Sequence, residues 1–227
     1  MRASVSYFVN LQMNKEQLKT LKSGLPENPG ILGKNEFFNS AVLVPLFLSN
    51  GECHLLFEKR AASIRQGGEI CFPGGEIENF DDSCIEAAIR ETEEEVGIQR
   101  EDIKIIGRMD TLIGPRGITV EPIVAELNIA GIDNCVIDKT EVEKIFSVPI
   151  RYFEENEPKV YKVLSRINYK MFNEKGEEES LIPNDSKEKS YTESERKVLA
   201  YKVNGEIIWG ITARLVYEIV RKMNNNL

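Results

Sequence analysis

Residues Gly74–Ile98 read GGEIENFDDSCIEAAIRETEEEVGI, and the second half of this stretch has the periodicity of a helix. At about 100° per residue, Ile85, Ala88, Ile89, Thr92 and Val96 share one arc that can pack on a sheet, and Gly97 follows as a stop. Glu91, Glu94 and Glu95 have i, i+3, i+4 spacing on a neighbouring arc, while Glu93 points away from both. Three carboxylates beside a buried face repel one another. A hard divalent cation relieves that repulsion, and Mg²⁺ and Mn²⁺ take such oxygen donors. Gly74-Gly75 lets the backbone approach a ligand closely, and Arg90 is placed to orient a carboxylate or to meet a phosphate. A bare run of glutamates is ordinarily a solvated helix face. The glycine pair, the apolar arc and Arg90 turn the reading toward a loop-helix site for a phosphate or pyrophosphate oxyanion.

Upstream, SAVLVPLFLS and ECHLLFEK are β-rich runs separated by Asn50-Gly51, a strong hairpin signal, and EICFPGG is a short strand that stops at Pro73. Downstream, DIKIIGRMDTLI and ITVEPIVAELNI are expected as strands flanking a Gly-Pro-Arg-Gly turn. TEVEKIFSVPI is expected as a short helix leading into an extended segment, and VYKVLSRINYKMF and KVLAYKVNGEIIWG as strands. A helix from Gly210 to Lys222 closes the chain. Strands and a few helices without regular alternation predict an α+β arrangement, a mixed sheet covered by helices. Residues 1–37 read as a polar, partly helical arm, residues 38–227 as the main domain, and the polar stretch 173–196 as a loop or insertion.

The chain has 227 residues, with 29 Lys+Arg against 37 Asp+Glu and a formal net charge of −8. That acidity argues against tracking nucleic acid or an anionic membrane surface, which takes clustered Lys and Arg. No apolar run approaches the roughly 18 residues of a membrane-spanning helix, and the N-terminus lacks the apolar run of a signal peptide. Cys53, Cys71, Cys84 and Cys135 are scattered and His54 is the lone histidine, so zinc sites and His-based triads are poorly supported. His54 lies in an alternating segment and is expected on a strand. A reduced, cytoplasmic chain acting on a small molecule is the simplest reading, with a homodimer compatible with it.

Arg90-Glu91-Thr92-Glu93-Glu94-Glu95-Val96-Gly97-Ile98 resembles the second half of the Nudix box, Arg-Glu-apolar-x-Glu-Glu-x-Gly-apolar, with Thr92 in an apolar slot. In the family pattern a Gly, five residues, a Glu and seven residues come first. Counted back from Arg90, the Glu slot falls on Asp82, and six residues rather than five separate it from Gly75. LLFEKRAASIRQGGEICFPGG is similar to the segment preceding the box in coenzyme A pyrophosphatases of this superfamily, through Leu55-Leu56, Arg60-Ala61, Ile64-Arg65 and Phe72-Pro73-Gly74-Gly75. EPIVAEL, EVEKIFSVPI and IIWGITARLVYEIV extend the similarity over about residues 40 to 223. One residue fewer separates Arg65 from Phe72, and the subfamily's His in that interval is absent.

The resemblance implies an α/β/α sandwich with a mixed sheet and a loop-helix-loop motif. It also implies a Mg²⁺- or Mn²⁺-dependent hydrolase of nucleoside diphosphate-linked compounds. Glu91, Glu94 and Glu95 are then the expected metal ligands, Arg90 holds them in register, and Gly74 and Gly75 shape the loop against substrate. Arg60 and Arg65 are expected phosphate contacts, for instance to the extra ribose phosphate of coenzyme A. Glu121, Glu141 and Glu143 are the candidate general bases, whereas Trp209, a residue able to stack a base, is expected in the core ahead of that role, as is Phe72. Coenzyme A is the favoured substrate. ADP-ribose, NADH or a dinucleoside polyphosphate is the alternative, and a non-catalytic nucleotide-sensing module is a reading from another class.

Overall fold

Strands β1 (Phe38–Ser49) and β2 (Glu52–Arg60) fold back on each other at Asn50-Gly51, with Ser49 opposite Glu52 and Leu46 opposite Leu55. The hairpin signal is thus realised, in a computed structural model that describes residues 15–115, 117–168, 170–179 and 191–224. Short strands β3 (Ile70–Cys71) and β4 (Gly74–Glu76) pair with β2 and β1 respectively. Strands β5 (Ile103–Arg108) and β6 (Leu112–Gly114) both pair with β7 (Ile118–Leu127), which runs parallel to β1 with Ala41 opposite Glu121. Strand β8 (Val142–Pro149) pairs with β2 and completes a mixed eight-stranded sheet. A second, antiparallel sheet holds β9 (Lys159–Asn168), β10 (Tyr191–Val203) and β11 (Glu206–Trp209) in the order β11-β10-β9.

Alternation along β1, β2 and β7 supplies two cores. Leu43, Leu56 and Ile123 face helix α2 (Cys84–Val96), where they meet Ala87, Ala88 and Val96. Val44, Leu55, Phe57 and Val124 face the other way, toward α3 (Ile150–Glu155) and α4 (Gly210–Asn224), and pack with Phe153, Leu215, Val216 and Ile219. Helices on both faces of the large sheet make the expected α/β/α sandwich. Phe57 anchors the second core, its ring stacked 4.9 Å from Phe72 and 5.6 Å from Phe146. Phe72 is therefore core, as expected. His54 sits on β2 and its Nδ1 lies 3.2 Å from the Ser147 hydroxyl. All four cysteines are free thiols.

Two expectations are corrected. Residues 142–149 form a strand rather than a helix, because Val142 and Val148 are buried and the segment has β2 as a partner. Its TEVEK start imitates helical charge spacing, but Lys144 and Glu143 bond Glu206 and Lys59 instead of each other. The polar stretch 173–196 is not loop throughout. Residues 191–196 belong to β10, where Glu193 bonds Arg166 at 2.8 Å and Glu195 bonds Lys162 at 3.1 Å across to β9. Strands exposed on both sides carry no apolar alternation, so the pairing is invisible to periodicity. Residues 180–190 of that stretch, and 1–14 of the expected arm, lie outside the described residues.

The chain divides into one unit ending at Lys34 and another beginning at Asn35. In the first, α1 (Lys15–Gly24) has no buried residue. Among the described residues no helix is long and apolar enough to cross a membrane.

Candidate active site

Helix α2 is fixed at both ends by its own sequence. The Ser83 hydroxyl accepts the Glu86 N–H at 3.3 Å, and Gly97, at φ 71°, closes the helix with its N–H on the Glu93 carbonyl. Thr92 fits an apolar slot because its buried hydroxyl donates to the Ala88 carbonyl at 2.7 Å. Glu93 points away, as its spacing predicts, and accepts the Arg100 N–H at 2.9 Å.

The Gly74-Gly75 strand lies directly on the helix carboxylates. Gly74 has φ 153°, and a side chain there would collide with the Ala41 carbonyl. Its N–H donates to Glu95 Oε2 at 2.8 Å. A Cβ on Gly75 would sit 2.5 Å from the Glu91 carboxyl carbon, so only glycine admits that carboxylate. Both glycines are thus used for close approach.

Arg90 ties the loop to the helix. Its guanidinium donates to Glu91 at 2.7 Å, to Glu94 at 3.1 Å, to the Glu76 carbonyl at 3.2 Å and to both oxygens of Asp81 at 3.1 and 3.0 Å. Phe80 lies under it, 5.3 Å from ring centre to guanidinium carbon. The carboxylate expected at Asp82 by counting back from Arg90 is therefore supplied by Asp81, and Asp82 is exposed. Counted forward from Gly75, five intervening residues lead to Asp81. The additional residue of this chain lies between Asp81 and Arg90, ahead of the Ser83 cap, where it does not disturb the helix. The Arg90 contact holds the Asp81 carboxyl below the usual aspartate range.

Glu95 is almost completely buried, and burial together with the neighbouring Glu58 charge pushes its carboxyl up. Burial also raises Glu91, with Arg90 opposing. Glu58 was not singled out by the sequence. It lies on β2 in the row Leu56, Glu58, Arg60 that faces α2, is fully buried, and accepts the Cys71 thiol at 3.0 Å. Its own carboxyl is raised chiefly by burial. The signal available in ECHLLFEKR was a charge two residues beyond a leucine on the helix-facing side of the strand.

Arg60 and Arg65 come together through an Arg60 Nε–H to the Arg65 carbonyl, at 3.3 Å. The Arg60 guanidinium is turned to the carboxylates, 3.9 Å from both Glu58 and Glu95, while Arg65 is exposed on the following turn. Of the three candidate bases, Glu143 is directed to Lys59 at 3.2 Å. Glu121 lies in one row with Ala41 and Gly75, buried, and accepts from Arg108 at 3.1 Å and Thr111 at 2.9 Å. The Glu141 charge acts on both Glu58 and Glu91. Trp209, expected in the core, is 41% exposed and lines a cavity of about 470 Å³ with Tyr161 and Lys202 of the smaller sheet and Tyr152 of α3.

Among the described residues no three His, Cys, Asp or Glu side chains already stand at ligand spacing, and Arg90 occupies Glu91 and Glu94. The donor chemistry nevertheless fits a hard divalent ion. It is all carboxylate oxygen around α2, and among the described residues one buried Glu58 oxygen has no hydrogen-bond donor.

A family model described as the NUDIX domain matches residues 38–160, more than half of the chain. Nudix hydrolase 3 of Caenorhabditis elegans is 34% identical over 143 residues, which is 60% of this chain and 59% of that protein. The mouse peroxisomal coenzyme A diphosphatase NUDT7 is 33% identical over 133 residues, 57% of this chain and 52% of that protein. The chain thus spans less than two thirds of the length of either. A Nudix hydrolase of Photorhabdus laumondii, NudL, is 28% identical over 200 residues, covering 88% of this chain and 91% of that one. The capped acidic helix, the glycine strand laid on its carboxylates and the arginine clamp lie within the matched region, and the chain belongs to the Nudix hydrolase family.

Proposed function

We propose that this chain is a divalent-metal-dependent hydrolase of the diphosphate bond in coenzyme A or its derivatives. The products would be 4′-phosphopantetheine and adenosine 3′,5′-bisphosphate. The observation that carries the chemistry is the seating of Glu95 and Glu91 directly on Gly74 and Gly75. It leaves oxygen donors and a substrate-facing backbone at one place. The substrate choice is supported by the likeness to the mouse protein whose name gives coenzyme A diphosphatase, at 33% identity, and by the residues around Arg60 and Phe72-Pro73.

In this reading Glu91, Glu94 and Glu95 hold Mg²⁺ or Mn²⁺. The ion would shield the charge of the diphosphate and lower the pKa of a bound water. Arg90 keeps Glu91 and Glu94 aligned and ties them through Asp81 and the Glu76 carbonyl to the glycine loop. Arg60 neutralises Glu58 and Glu95 from one side and stands at the edge toward substrate, with Arg65 on the outer turn. Hydrolysis forms a bond from the water oxygen to one phosphorus and breaks that phosphorus's bond to the bridging oxygen. The proton passes to a base, and Glu141, whose charge reaches Glu58 and Glu91, and the buried Glu121 are the favoured candidates. Residues 38–227 act as one hydrolase domain, with 1–37 appended.

The test is a panel of diphosphates with Mg²⁺ or Mn²⁺, the products resolved by chromatography. Cleavage of coenzyme A well above ADP-ribose, NADH and dinucleoside polyphosphates is the expected result. Preference for one of the others reassigns the substrate within the same chemistry. Cleavage of none of them overturns the catalytic reading in favour of a nucleotide sensor.

A further inference from the structure

Along β2 the side chains facing α2 are Leu56, Glu58 and Arg60, so a row that begins apolar turns acidic beneath the helix carboxylates. Glu58 has no exposed surface. One of its oxygens accepts the Cys71 thiol at 3.0 Å and lies 3.9 Å from the Arg60 guanidinium. The other, Oε2, is buried with no hydrogen-bond donor in reach among the described residues, and the Glu95 carboxyl lies close enough to share a proton with Glu58. The neighbouring carboxylate is Glu95, whose Oε2 is held by the Gly74 N–H and whose Oε1 lies 3.9 Å from Arg60. Burying a carboxylate beside another carboxylate, with one oxygen unsatisfied, opposes folding. An apolar side chain between Leu56 and the helix would remove that cost. A position that places a carboxyl beside Glu95 instead offers an oxygen donor to a positive charge that arrives later.

We propose that Glu58 lends its donor-free Oε2 to the divalent cation held by Glu95, so that the ion is gripped from strand β2 as well as from helix α2. The proposal rests on the metal-dependent reading of the site. Arg60 is then a placeholder, balancing the pair until the ion enters, and the Cys71 thiol fixes the carboxylate's rotation by engaging the opposite oxygen.

The experiment titrates Mn²⁺ into the full chain and follows the free-ion signal by electron paramagnetic resonance, a readout independent of turnover. Thermal unfolding is measured in parallel without metal. Glu58→Gln preserves shape and an acceptor but removes the charge. It should weaken Mn²⁺ binding tenfold or more while raising the melting temperature of the metal-free protein. Glu58→Asp, which keeps the charge and withdraws the oxygen, should lose threefold or more in affinity without gaining stability. Mn²⁺ affinity in Glu58→Gln within twofold of wild type overturns the proposal, as does unchanged affinity in Glu58→Asp should the glutamine variant not fold. Glu95→Gln separates the two levels of inference. Loss of binding there with none at Glu58 overturns only the Glu58 assignment, whereas a wild-type chain that takes up no Mn²⁺ overturns the metal-dependent reading itself.

Discussion

Replacing Asp81 and Asp82 separately by Asn tests which carboxylate clamps Arg90. Asp81 receives two guanidinium hydrogen bonds, at 3.1 and 3.0 Å, and its side chain is 3% exposed against 21% for Arg90. Charge-assisted bonds of this partly buried kind contribute about 1.5–3 kcal/mol. Asn retains an oxygen able to accept the Glu78 N–H that Asp81 now accepts at 2.8 Å, and Arg90 keeps Glu91 and Glu94. A loss of about 2 kcal/mol is therefore expected. For a chain of this size that lowers the melting temperature by about 4–8 °C. Asp82 is exposed, and Asp82→Asn should stay within about 0.5 kcal/mol, or about 1–2 °C. Circular dichroism melts at neutral pH without metal measure both. A melt in which Asp82→Asn costs as much as Asp81→Asn would refute the pairing and return the clamp to the position counted back from Arg90.

Gly75→Ala places a methyl group 2.5 Å from the Glu91 carboxyl carbon, but Glu91 ends a flexible chain that can swing aside. The fold should survive with a small change in melting temperature while Mg²⁺-dependent turnover falls on the order of a hundredfold; retained turnover would count against Glu91 as a ligand. Glu94→Gln alters a side chain that is 60% exposed, so stability should change little and turnover should drop to a similar degree, with wild-type-like metal-dependent activity sinking the assignment. Because Arg90 depresses the Asp81 pKa, the stability of that pair is present above the ordinary aspartate value of about 3.9 and lost as pH falls through the lower folded value. The melting-temperature gap between wild type and Asp81→Asn should therefore narrow as pH is taken below about 3.9, and a gap that widened in acid would contradict the ion pair.

Much of the site could be read from residues adjacent in sequence. Helix α2, its Gly97 stop, the outward Glu93 and the glycine loop follow from spacing alone, because each is a local relation within a few residues. Asp81 escaped for a local reason of another kind. One added residue offset the count, and only the position of the Ser83 cap shows that the excess lies outside the helix. Glu58 escaped because its meaning is tertiary: alternation predicts a strand and a helix-facing row, but nothing in the chain says that Glu95 lies opposite. Strand β8 and the outer end of β10 were misread where charge patterns mimic helix or loop and the strand partner lies about 25 residues or more away, as with Arg166 and Glu193 at a separation of 27. Trp209 illustrates the same limit from the other side. An aromatic before an apolar helix looks internal, yet its register opposite Ala200 turns it into a cavity on the open face of the smaller sheet.

The parallel pairing of β1 with β7 has a consequence for the order in which the molecule is made. The whole acidic helix and its glycine loop are synthesised by residue 98, but the Gly74–Glu76 strand is hydrogen-bonded to β1, and β1 needs β7 as its other neighbour, 80 residues along the chain where Thr119 bonds Asn39. Contacts of such sequence separation form late, since the intervening loop must close first. A nascent chain that has exposed the complete motif therefore still lacks the wall against which it is aligned, and the metal uptake proposed for the site would report on completed folding rather than aid its beginning. Stalling synthesis just before and just after β7 emerges would separate the two.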